Sequence, residues 1–104
     1  MSSGVLYTID ELKDIVCPIA IRYGVERVFL FGSYARGEVD SDSDIDLRID
    51  SGAIRDYFEL SGFHQELETN LAGKVDLLTT GSLEEKLLSR IANEEVLLYE
   101  QPRH

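Results

Sequence analysis

Three aspartates pose the chemical question in this chain. Asp44 and Asp46 open the run DIDLRID two residues apart, and Asp76 interrupts the apolar run KVDLLT. Side chains along a strand alternate between its faces, so Asp44, Asp46, Arg48 and Asp50 share one face, and Ile45, Leu47 and Ile49 share the other. The first two carboxylates then project into the same space, roughly 6–7 Å apart at the backbone. Like charges held so close repel each other unless a cation offsets them. Oxygen donors of this kind suit Mg2+ or Mn2+. The Ca2+-loop alternative fails. A loop starting at Asp40 or Asp42 would need Gly at its sixth position and Glu at its twelfth. It has Ile45 and Ser51, or Leu47 and Ala53. Asp40 and Asp42 themselves read as a solvated loop.

Upstream, Gly32-Ser33 closes the apolar run VFLF. A glycine at a strand end followed by serine at a helical turn turns backbone N–H groups toward an anion. Taken alone the pair is a common turn, and no GxxxxGK[ST] motif is present. Asp76 has two readings. An aspartate in an apolar strand is costly unless paired or bound to metal, so it is either a strand-edge carboxylate beside Lys74 or a third site carboxylate. In the second reading it binds a second metal and takes the proton of an attacking hydroxyl. Amides on phosphate and carboxylates on metal together form the arrangement that phosphoryl or nucleotidyl transfer requires.

The elements that would position these groups are legible in the hydrophobic periodicity. Thr8 and Glu11 form a capping box. Ile9, Leu12, Val16, Ile19, Ala20 and Tyr23 then mark one helix face, and Gly24 stops it. Val25 to Phe31 reads as a buried strand, Ser33 to Arg36 as a helical turn, and Asp44 to Asp50 as a second strand. Ile54 to about Leu71 reads as a helix weakened by Ser61-Gly62. Lys74 to Thr80 is a third strand. Ser82 caps a further helix with Leu83, Leu87, Leu88 and Ile91 inward, and Val96 to Tyr99 is a last short strand. The fold class is α+β, a small mixed sheet with helices packed on it. The connection between the first two strands is too short for a crossover helix, which makes them antiparallel.

The chain has 104 residues, the length of one domain over 1–104, and its 43% apolar content is ordinary for a globular core. No run reaches the length of a membrane span, and the N-terminus lacks a signal-peptide pattern. The one cysteine, Cys17, excludes an internal disulfide. A cytoplasmic protein is expected. Twenty Asp and Glu against ten Lys and Arg give a net charge of −10. Such a balance argues against a long nucleic acid as partner but admits a small phosphorylated ligand carried by metal.

The spacing Gly32-Ser33, ten residues, Asp44-x-Asp46, with Asp76 on a later strand, resembles the DNA polymerase β-like nucleotidyltransferase superfamily. The wording GSYARGE…SDSDIDL is similar to its minimal nucleotidyltransferase branch, over about Ile9 to Tyr99. The resemblance implies a polymerase β palm-like fold and an enzyme using ATP or another NTP with two Mg2+ or Mn2+ ions. It implies that Gly32 and Ser33 hold the triphosphate, that Asp44 and Asp46 bind metal, and that Asp76 completes the catalytic and metal-binding triad. It further implies an antitoxin encoded beside a HEPN-type RNase toxin, which it silences by transferring AMP to a toxin tyrosine. Two rivals remain. One is a non-catalytic module that masks a toxin. The other is transfer to a small molecule, for which the chain has no acceptor domain. Association into homo-oligomers is left open. Arg36 either reaches the triphosphate or caps its turn. Arg48 either pairs with Asp50 or touches phosphate. Tyr34 is near enough to contact nucleotide, Cys17 reads as a small core residue, and His64 and His104 carry no assignment.

Overall fold

The computed structural model describes residues 7–37, 44–71, 74–80 and 94–102. Asp40, Asp42 and the helix expected from Ser82 lie outside the described residues, as do the side chains of Ser33 and Arg36.

Helix α1, Ile9–Tyr23, starts on the expected capping box. The Thr8 hydroxyl accepts the Glu11 N–H at 3.1 Å, and the Glu11 carboxylate accepts the Thr8 N–H at 2.9 Å. Two of the orphan donors at this helix end are thereby satisfied. Gly24 closes α1 in the left-handed conformation at φ 72°, where a residue with a Cβ is strained. Strand β1, Arg27–Phe31, follows, then the one-turn helix α2, Ser33–Arg36, and strand β2, Ile45–Asp50. Asp44 therefore stands just before the strand it was expected to begin.

Helix α3 spans Tyr57–Asn70, three residues later at its start than the periodicity suggests. The reason is local: the Asp56 side chain caps it by accepting the Glu59 N–H at 2.9 Å. Ser61-Gly62 does not break it. A Cβ on Gly62 would lie 3.2 Å from the Tyr23 hydroxyl, so glycine there lets α1 and α3 close together. The Tyr23 and Phe63 rings meet edge-on beside it, 5.5 Å apart. Strands β3, Val75–Thr79, and β4, Val96–Glu100, complete the described elements.

The four strands form one mixed sheet in the order β3-β2-β1-β4. β1 is antiparallel to both β2 and β4, and β2 is parallel to β3 through the α3 connection. Helix α1 packs on β4 and α3, and α3 packs on β3. Their buried faces, Leu12, Val16 and Ile19 on α1 and Phe63 and Leu67 on α3, meet Val28, Leu30, Leu47 and Ile49 of the sheet. Burying one stripe of each helix against one sheet face leaves the opposite face to the polar side chains of β2 and β3.

Candidate active site

The site begins with strand register. In the parallel β2–β3 pair, Asp46 lies directly opposite Asp76. In the antiparallel β1–β2 pair, Asp46 lies opposite Phe31, the last residue of β1. Gly32 follows at φ 73°. Side chains at paired positions of adjacent strands stand on the same face, so Asp46 and Asp76 are neighbours, as their alternation demands.

Gly32 is held close by this arrangement. A Cβ there would run into the Asp46 carboxylate, with Cγ 3.1 Å away. The glycine is thus required twice within the protein, for its left-handed backbone and for the space that Asp46 fills. Sequence reasoning had linked it only to close approach of phosphate. Immediately after it, the first turn of α2 leaves backbone N–H groups without helical partners.

Asp44 and Asp76 are both partly open to solvent, with side chains 41% and 46% exposed. Lys74 reaches both: its Nζ is 3.9 Å from Asp44 Oδ2 and 4.0 Å from Asp76 Oδ1. The Ile45 N–H donates to the Lys74 carbonyl at 3.1 Å, which fixes the backbone of Lys74 against the start of β2. The structure places Asp76 in company with Lys74 and opposite Asp46. Among the described residues, no three His, Cys, Asp or Glu side chains gather closely enough to hold a metal ion. The donor chemistry is of the type that suits a hard divalent cation, since Asp44, Asp46 and Asp76 offer oxygens alone. The cation already among them is an ammonium.

Arg48 does not serve this site. Its guanidinium makes a two-pronged pair with Glu95, Nη2 lying 2.7 Å from Oε1, with Nε on Oε2. Nη1 donates to the Thr80 hydroxyl at 2.6 Å, and the group stacks 4.3 Å above the Phe29 ring. Asp50, the expected partner, also pairs with it, at 3.7 Å. Hydrogen bonding to Glu95 pushes the Arg48 pKa up further than burial lowers it. Glu95 was missed because nothing local marks it; it stands 47 residues from Arg48. Tyr34 is a core residue, 5% exposed, rather than an open wall of the site. Cys17 is half-buried, its thiol donating to the Leu98 carbonyl at 3.4 Å, and burial raises its pKa.

Comparison with known proteins bears on this geometry. The family model for polymerase β-type nucleotidyltransferases matches residues 15–104. The chain is 41% identical over 88 residues to MJ0435 of Methanocaldococcus jannaschii, a candidate protein adenylyltransferase; the match covers 85% of this chain and 95% of the relative. It is 30% identical to the protein adenylyltransferase MntA of Thermococcus cleftensis, over 88% of this chain and 96% of that one. A solved structure described as a candidate minimal nucleotidyltransferase superposes with a TM-score of 0.76 at 29% identity, covering 89% of this chain and 98% of the other. A chain from the complex of tri-AMPylated Shewanella oneidensis HEPN toxin with its MNT antitoxin shares the fold. Its TM-score is 0.69 at 19% identity, over 89% of this chain and 73% of that one.

Proposed function

Because the chain belongs to the polymerase β nucleotidyltransferase family, we propose that it transfers AMP from ATP to a hydroxyl of a partner protein, a tyrosine of a HEPN-type toxin, and acts as that toxin's antitoxin. The observation that carries this reading is the direct pairing of Asp46 with Asp76 beside Gly32. Support comes from relatives named as protein adenylyltransferases along nearly their full length. The complex of an AMPylated HEPN toxin with its antitoxin supplies the class of acceptor.

In this reading Asp44 and Asp46, with Asp76, hold Mg2+ or Mn2+. Those carboxylates would hold a divalent cation, whose charge would offset that of the triphosphate and of the reacting oxygens. The backbone N–H groups after Gly32 hold the phosphates, with Ser33 and Arg36 as further contacts. Asp76 accepts the proton of the attacking hydroxyl. The hydroxyl oxygen bonds to the α-phosphorus, the bond from that phosphorus to the bridging oxygen breaks, and pyrophosphate departs with the electron pair. What the protein adds is placement. Paired strand positions keep Asp46 and Asp76 on one face, and the Gly32 turn keeps the phosphate loop against them.

Intact-mass analysis of a toxin co-expressed with this protein tests the reading. The toxin should gain the mass of one or more AMP groups with wild type and none with Asp46→Asn. A toxin that is bound and silenced but unmodified would overturn AMP transfer and favour masking.

A further inference from the structure

Lys74 is not among the groups that the site chemistry requires, yet its ammonium lies beside two of them. Its backbone is anchored by the hydrogen bond from Ile45, while its side chain is 67% exposed. The root is fixed and the tip is free. The tip rests within 4.0 Å of one oxygen on Asp44 and one on Asp76. Three described arginines are committed elsewhere: Arg22 to Glu66, Arg27 to Asp50 and Glu100, and Arg48 to Glu95.

We infer that Lys74 is a stand-in cation that offsets the site's carboxylates until a divalent ion arrives, and then becomes a phosphate-contacting residue for the nucleotide triphosphate. The inference rests on reading this site as one for nucleotidyl transfer. Its physical basis is electrostatic. An ammonium beside two carboxylates lowers their repulsion, but it also competes with any other cation for the same oxygens. Once a divalent ion takes those oxygens, the ammonium loses its partners. A triphosphate bound at this site would then be the anion for the released ammonium to pair with. Lysine suits both positions because it binds phosphate as a mobile point charge rather than as a fixed fork.

The two roles carry opposite signs, and a single substitution separates them. Lys74→Met keeps the length of the stem and removes the charge. Titration calorimetry with Mn2+ alone should give binding about fivefold tighter than wild type, as loss of an exposed unit charge near 4 Å implies. Titration with ATP in saturating Mg2+ should give binding weaker by a similar factor. Lys74→Arg should restore both values toward wild type. The metal-free Tm of Lys74→Met should fall slightly, with circular dichroism unchanged. Unchanged or weaker Mn2+ binding in Lys74→Met would overturn the stand-in role, and unchanged ATP binding would overturn the phosphate role. If wild type takes up neither Mn2+ nor ATP, the nucleotidyl-transfer reading itself fails, and Lys74 falls with it.

Discussion

At the scale of single residues, Gly32 has two explanations. Phosphate recognition and internal packing both call for glycine there, and the packing reason is visible without any ligand: φ 73° and a Cβ that would meet Asp46. Gly32→Ala is expected to cost about 1–2 kcal/mol, the usual penalty for a side chain in the left-handed region, and to displace the Asp46 carboxylate. Chemical denaturation checks the first effect. Transfer activity should fall far more than stability does, because Asp46 would be pushed from its position opposite Asp76. Equal stability and activity in Gly32→Ala would mean that the backbone relaxes without moving Asp46. For the same reason a bulky residue at Gly32 does not report on phosphate contact alone.

At the scale of elements, Arg48 ties the sheet together across the face that also carries Asp46. It stems from β2, lies over Phe29 of β1, and reaches Glu95 just before β4 and Thr80 just after β3. Both members of the pair are nearly buried, their side chains 11% and 8% exposed. A buried pair is weak in net stabilisation but severe when half of it is removed. Arg48→Met or Glu95→Leu alone should each destabilise by about 3 kcal/mol or more, since an unpaired buried charge remains. The double variant should recover most of that loss, because apolar side chains of similar volume replace the pair. Urea denaturation of the four proteins gives the coupling directly, and simple additivity would contradict this account of the pair. This face also marks the limit of what the sequence makes legible. Periodicity reveals α1, the four described strands and the common face of Asp46 and Arg48, and the short β1–β2 connection makes that pair antiparallel. The start of α3 depends on one hydrogen bond from Asp56, and the partner of Arg48 depends on register between distant segments. Alternation along one strand cannot supply either. The position of Lys74 between Asp44 and Asp76 likewise needs the parallel β2–β3 pairing.

At the scale of the whole molecule, the net charge of −10 is the dominant feature. No described helix is long and apolar enough to cross a membrane. The acidic balance opposes the phosphate backbone of a long nucleic acid and suits a protein acceptor. Only the highly charged triphosphate must be brought into an acidic site, which is the task assigned to the metal, the Gly32 turn and Lys74. The central claim is that a nucleotide monophosphate, and not a phosphate, is transferred to a protein hydroxyl. Isotope position tests it most directly. The protein is incubated with its HEPN-type partner, Mg2+ and ATP labelled either at the α- or at the γ-phosphorus, and the partner is then separated under denaturing conditions. The account predicts stable label on the partner from α-labelled ATP, none from γ-labelled ATP, and none from either with Asp76→Asn. Label from the γ position, or no label from either with both proteins folded and bound, would contradict it.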